Sequence, residues 1–318
     1  MKLVFLAALV SAAAAVHAQD YPAKPIRMLV PFAPGGAVDT TARVLTQAMQ
    51  QRLNWQFVVE NRPGGNGFIA TTAVQKATPD GYTLLMAHTG EFAVNPALFP
   101  DVPYDLERDF LPITMVSDAP MLYLAKAQAP FNNFKELIAA AKAKPGAIDY
   151  ASSGNGSSQH LVGALFNSMA GVQLNHVPYK GSGPAMQDLL AGEVGVSFAG
   201  VPNVLGQVRG GRLKALAVTT PKRWVELPDV PTMAEAGVPD YEATLWLSLS
   251  GPAGMPAPIV QQLYGEITRA LKDPELQSKF REAGVEADAT GGEELLRYMR
   301  AEYEKWGRVV KETGATVN

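Results

Sequence analysis

PFAPGGAVDTTARVL, residues 31 to 45, decides the fold, because two different periodicities meet in it. The apolar run from Ile26 to Val30 before it reads as a buried strand, and after it Ala42, Leu45 and Met49 fall on one face of a helix. Between them stand the adjacent glycines Gly35 and Gly36. Glycine after a strand lets the backbone turn tightly and approach a ligand with no Cβ in the way. The N–H groups that open the next helix then favour an anion, by ~0.3–1 kcal/mol from the dipole and by more where charge-assisted hydrogen bonds form. Gly35, Gly36, Ala37 and Val38 are therefore a candidate anion nest. Asp39 has two open readings. As a helix N-cap it would satisfy the next N–H groups itself; facing a cleft, it would repel a carboxylate and need an amine or a water in between.

Outward from this turn the grammar repeats. A strand from Phe57 to Glu60 runs into Gly64, Gly65 and Gly67, a helix from about Phe68 to Lys76 follows, and Asp80-Gly81 leads to a strand from Tyr82 to Ala87. The middle of the chain does the same: IDYASSGNGSSQHLVGALFNSMAG and VQLNHVPYKGSGPAMQDLLAG each read strand, glycine turn, helix, and EVGVSFAG is a further strand. Such alternation is the pattern of an α/β protein with mainly parallel sheets. In open parallel sheets, ligands sit beyond the carboxyl ends of strands, where helix N-termini point. Two lobes of related layout would form a clamp. The chain would cross between them near LPITMVSDAPMLYLAK and return near DYEATLWLSLSGPAGMP, two extended, Pro-punctuated runs that suit a two-stranded hinge. This gives a discontinuous first lobe, residues 20–120 and 241–318, and a second lobe, residues 121–240. The tail would add helices with apolar faces at Ile259, Leu263, Ile267 and Leu271, and at Leu295, Met299, Tyr303 and Trp306.

Composition narrows the function. With 318 residues, 47% hydrophobic and 18% charged, the chain has an ordinary globular make-up, and a net charge of -3 offers neither a basic stripe for nucleic acid nor a polybasic membrane patch. There is no cysteine, so disulfides, thiol catalysis and thiolate metal sites are excluded. MKLVFLAALVSAAAAVHAQD reads as a secretory signal cleaved after Ala18. An exported chain without disulfides is held by its core, which suits a periplasmic protein. A small ligand or a protein partner is expected, with no cofactor or metal required.

The turn SSGNGSSQH is a second candidate nest, with hydroxyls at Ser152, Ser153, Ser157 and Ser158 beside Gly154 and Gly156. A carboxylate is favoured over a nucleotide, since there is no GxxxxGK[ST], and GNGSSQ lacks the third glycine of a dinucleotide fingerprint. Ser157 or Ser158 could instead simply cap the helix. A serine hydrolase built from Ser153 or Ser158 with His160 and Asp39 is the competing class, although the chain has no GxSxG elbow. His160 reads as a helix-start residue, whereas His88, in AHTGEF after a strand, belongs to a loop that opens towards the cleft.

The ordered set PFAPGGAVD, VVENRPGGNG, TPDGYTLLMAHTG, NPALF, PYDLERDFLPIT, SSGNGSSQHL, VPYKGSGPAMQDLLAG, GRLKALAVTT and LPDVPTMAEAG resembles the Bug-type periplasmic solute receptors of tripartite tricarboxylate transporters, over essentially the whole mature chain. The resemblance implies a two-lobed, type II periplasmic binding protein, with its ligand cleft between lobes and a two-stranded hinge. It implies no enzyme but a receptor that closes on a small organic carboxylate and delivers it to membrane permease subunits; a sensor kinase is a second possible recipient. Carried over by position, it points to Phe32, Ala33, Gly36 and Asp39 in the first turn, and to His88 and Thr89 after the third strand. In the second lobe it points to Ser153, Gly154, Ser157 and Ser158, with Tyr179, Lys180 and Gly181 in the PYKG turn. Many members carry an acid in the segment resembling GEVGVSFAGVPN, where this chain has Gly195 and Asn203; its absence favours a plain mono- or dicarboxylate over an amino acid. Phe32, Phe92, Phe198 and Trp246 leave room for an aromatic acid. A monomer is expected.

Overall fold

The computed structural model describes residues 21–201 and 204–314; the expected leader with its cleavage after Ala18, and Asn203, lie outside the described residues. Ten strands form the sheet: β1 (Ile26–Val30), β2 (Phe57–Asn61), β3 (Thr83–His88), β4 (Phe110–Lys126), β5 (Asp149–Ser152), β6 (Asn175–Pro178), β7 (Val196–Gly200), β8 (Leu213–Val218), β9 (Thr244–Pro252) and β10 (Glu286–Ala287). Their spatial order is β2-β1-β3-β9-β4-β7-β5-β6, with β8 and β10 also paired to β4.

The two ends of this sheet are parallel, as the repeated strand-turn-helix units require: β1 lies between β2 and β3, and β5 between β6 and β7. The centre is not. β9 runs antiparallel to both β3 and β4, and β4 runs antiparallel to β7 and β8. The expectation of mainly parallel sheets is corrected here, because the two Pro-punctuated crossing runs are themselves sheet strands. β4 changes partners along its length: Phe110 to Pro120 pair with β9, from Phe110↔Pro252 to Pro120↔Thr244, and from Met121 onward it pairs with β7, starting at Met121↔Gly200.

The helices are α1 (Ala37–Leu53), α2 (Phe68–Gln75), α3 (Asn95–Leu98), α4 (Leu106–Asp109), α5 (Phe134–Ala143), α6 (Ser158–Ala170), α7 (Ser182–Ala191), α8 (Leu205–Arg209), α9 (Ala257–Leu271), α10 (Pro274–Glu282) and α11 (Gly292–Thr313), with a wide π-helical turn over Gly90–Val94. α1 buries Ala42, Leu45 and Met49, the predicted face, together with Val38, and stops at Asn54, which is left-handed. α9 buries Leu263, Ile267 and Leu271 in the same way. On α11, Leu295, Met299 and Trp306 are buried, but Tyr303 is 46% exposed, contrary to the expected stripe. Glu302 takes the inward position, because its Oε2 accepts from the indole N–H of both Trp246 (3.3 Å) and Trp306 (3.1 Å).

One apolar cluster runs through both halves, joining Leu29 and Phe92 to Tyr123, Phe166, Phe198, Trp246 and Trp306. A second lies beneath α1, α9 and α10, and a third under α7 and β8. Among the described residues no helix is long and apolar enough to cross a membrane.

Candidate functional site

The carboxyl ends of β1, β3, β5 and β7 face a common chamber of about 370 Å³. α1 and α6 open onto it from opposite sides, through Gly36, Ala37 and Val38 on one wall and Ser157 and Ser158 on the other. An α-helix leaves its first N–H groups without internal acceptors. Those of Ala37 and Val38, and of Ser158 and Gln159, find none elsewhere among the described residues.

The turns before the helices are already satisfied, which moves the donor set by one or two residues. Gly35, at φ +85°, donates its N–H to Asp39 Oδ2 at 2.9 Å. Asp39 also accepts from Arg43 Nε (3.0 Å) and Asn61 Nδ2 (2.9 Å). Burial opposes its charge, but these hydrogen bonds win and hold the carboxyl below its usual range. Asp39 is thus not the N-cap, which is Gly36; it lies off the chamber wall and braces the turn from behind. In the second turn, Ser153 N–H donates to Gln159 Oε1 (2.8 Å), Gly154 N–H to Ser152 Oγ (3.1 Å) and Gly156 N–H to His160 Nδ1 (3.0 Å). Ser157 is the cap, its Oγ accepting from His160 N–H at 3.2 Å and donating to Gly154 O at 2.7 Å.

Of the expected site residues, Phe32, Gly36, His88, Ser153, Ser157 and Ser158 reach the chamber wall. Ala33 is exposed outside it. Thr89 is buried and tied to β9, its Oγ1 accepting from Trp246 N–H at 3.0 Å. Gly154 lies in the second turn but off the chamber wall, and Tyr179 and Gly181 brace that turn from behind. Gly181 N–H donates to Ser153 O (3.2 Å), Tyr179 N–H to Ser152 O (3.0 Å) and Tyr179 O–H to Asp188 Oδ2 (2.7 Å). Lys180 is exposed and off the wall. Phe92, Phe198 and Trp246 are fully buried core, so only Phe32 of the four aromatics borders the chamber. Its ring meets His88 edge-on at 5.4 Å.

The hydrolase constellation does not assemble. Asp39 is bound to its own turn, and His160 stacks on His176 with centroids 4.0 Å apart. Among the described residues, the serine whose hydroxyl meets a histidine ring is Ser152, 2.6 Å from His176 Nε2 and fully buried.

Sequence reasoning missed three wall residues of consequence. Gln159 locks the second turn to β7, donating through Nε2 to Phe198 O at 2.7 Å. Asn66, in the second glycine turn, is left-handed at φ 51° and accepts from Asn95 Nδ2 at 2.7 Å. Glu91 is the third: its carboxyl is buried at the wall, and Oε2 accepts from His88 N–H at 2.9 Å. Desolvation pushes Glu91 up to about 8 and His88 down to about 4, so both are neutral at pH 7. The position of Glu91 directly after Gly90, in the loop that His88 had flagged, was the available signal. Among the described residues, no Lys or Arg lines the chamber, and no His, Asp and Glu cluster could hold a metal ion.

An α/β sheet with two parallel ends, joined by crossing strands around a chamber ringed with helix N-termini, defines a solute-binding protein of the periplasmic type. The chain belongs to the tripartite tricarboxylate transporter family receptors (TctC), whose model matches residues 41–315. These are periplasmic solute-binding receptors rather than a class of enzymes. The chain is 39% identical over 304 residues to protein BugT of Bordetella pertussis, covering 95% of this chain and 93% of the relative. It superposes with a TM-score of 0.84 on R. palustris Rpa4515 with adipate, 34% identical, over 93% of this chain and 99% of that one. MatC from Rhodopseudomonas palustris with bound malate gives 0.78 at 32% identity, over 91% and 100%.

Proposed function

We propose that this chain is a periplasmic receptor that captures a small mono- or dicarboxylate in the chamber, closes over it, and presents the closed form to the permease of a tripartite transporter. No bond is made or broken. The observation that carries this reading is the opposition of the α1 and α6 N-termini, whose first N–H groups have no acceptor among the described residues, across a chamber that no described Lys or Arg lines. Two oriented helix ends supply the positive potential that a carboxylate needs, without a guanidinium. Family membership and the adipate and malate held by relatives support the ligand class. A plain aliphatic diacid is preferred to an aromatic acid, since Phe32 alone of the candidate aromatics borders the chamber.

The lobes would be residues 20–120 with 241–318, and residues 121–240. β4 changes partners between Pro120 and Met121, and β9 begins at Thr244, which supports these limits. Micromolar affinity corresponds to about -8 kcal/mol. Several charge-assisted hydrogen bonds at ~1.5–3 kcal/mol each supply that after the costs of closure.

The test is a thermal-shift panel on residues 19–318, with aliphatic, hydroxy, amino and aromatic carboxylates and their matching amides. A ligand that binds only the native state raises the melting temperature. The reading predicts a shift with adipate or malate and none with the amides. No shift with any acid, in protein that mass spectrometry finds free of a resident ligand, would defeat it.

A further inference from the structure

We propose that the Glu91 side chain is the chamber's proton donor to a second ligand carboxylate, selecting dicarboxylates over ω-amino acids. The inference rests on the receptor reading above and extends it to the far end of the ligand.

The geometry comes first. Glu91 opens the π-helical turn Gly90–Val94, and its carboxyl sits at the chamber wall with Oε2 accepting from His88 N–H at 2.9 Å. On the other side lies Gly67, at φ +89°, where an added Cβ would stand 2.4 Å from Glu91 Oε1. The absence of a side chain at 67 therefore makes room for this carboxyl. No basic side chain pairs with Glu91 among the described residues. A buried carboxylate without a cation is unfavourable, and the group keeps its proton instead.

The groups around Glu91 do not supply an alternative charge. His88, at the end of β3, is neutral by desolvation, and Asn66 and Asn95 carry no charge. Tyr104 donates its hydroxyl to the Glu91 carbonyl, and burial raises its pKa further. On α11, packed behind this turn, Glu302 and Lys305 are paired with each other, and Glu302 also binds two indoles. Among the described residues, Glu91 and His88 are the only titratable side chains on the wall. A protonated carboxyl donates a short hydrogen bond to a ligand carboxylate. An ammonium group would instead pair best with an ionised Glu91, the form that its surroundings oppose.

The consequence is a pH profile. Once pH passes about 8, Glu91 loses its proton, the donor becomes a repelling charge, and affinity for a dicarboxylate falls. Calorimetric titration of the mature protein with adipate, from about pH 6.5 to about 9.5, reads this directly, since both adipate carboxyls stay ionised throughout. The expected result is a roughly tenfold weakening per pH unit above about 8. In Glu91→Gln, affinity should be several-fold weaker at pH 7 and flat with pH, because an amide donates but does not ionise. Thermal melting of the variant separates misfolding from lost binding, and the wild-type profile stands without it. A flat wild-type profile would overturn the proposal and leave the receptor reading intact. So would 6-aminohexanoate binding tighter than adipate, with affinity rising with pH. If wild type binds none of the carboxylates of the panel at any pH, the receptor reading itself fails, and this one with it.

Discussion

Asp39 has a role that the sequence could not assign. An acid three residues after Gly36 satisfies the composition of a ligand loop and of a helix start equally well. In the structure its carboxylate gathers Gly35 N–H, Arg43 and Asn61, fixing the first turn from which α1 starts with Ala37 and Val38 at the chamber wall. Replacing it by Asn removes the charge from three hydrogen bonds, worth about 1–3 kcal/mol of stability. The folded pKa of Asp39 is depressed, so its stabilising contribution is full above the unfolded value of about 4 and is lost as pH falls through the folded value. Denaturant melts of wild type and Asp39→Asn should therefore differ at neutral pH and converge in acid. A gap that persists unchanged in acid would deny the charge its role. Glu91 was hard to read for a related reason: acids belong on the surface by default, and although His88 flagged its loop, only the fold packs its carboxyl against a glycine 24 positions earlier.

At the scale of elements, the strand-turn-helix units were legible because each is local. Ile26–Val30, the α1 face, the second glycine turn and the α9 face all follow from periodicity and glycine placement. The antiparallel centre was not, since pairing Phe110 with Pro252 depends on contacts across the whole chain. The same holds for α11, where two tryptophan N–H groups, one of them on β9, draw Glu302 inward and leave Tyr303 outside. The crossing strand β4 carries its own titratable group. Asp118 faces Trp246 on β9 and Glu286 on β10, and its Oδ1 has no hydrogen-bond partner among the described residues. Burial pushes it up to about 6, helped by the nearby acids Asp288, Glu242 and Glu302. A carboxyl whose folded pKa exceeds its unfolded value binds protons more tightly when folded, so stability falls as pH rises from about 4 to about 6, and the penalty is full above that. Asp118→Asn should thus stabilise the protein at pH 7 by roughly 2–3 kcal/mol and do little below about pH 4, as read by thermal melts across that range. Equal melting temperatures at pH 7 would show that Asp118 is not strained by its site.

At the scale of the whole molecule, the two halves share more than β4 and β9. One apolar cluster passes through both, and Tyr241 O–H donates to Val162 O of α6 at 2.8 Å, just before the chain re-enters the sheet at β9. Ser168 on α6 reaches Glu312 on α11 at 3.4 Å. The measurement that tests this account most directly is a crystal structure of residues 19–318 with the acid that gives the largest thermal shift. The account predicts one ligand carboxylate within hydrogen-bond distance of the Ala37 and Val38 N–H groups and of Ser158 or Gln159 N–H, with α1 and α6 drawn together around it. A carboxylate bound outside the chamber, or held by the exposed Lys180 ammonium, would contradict it.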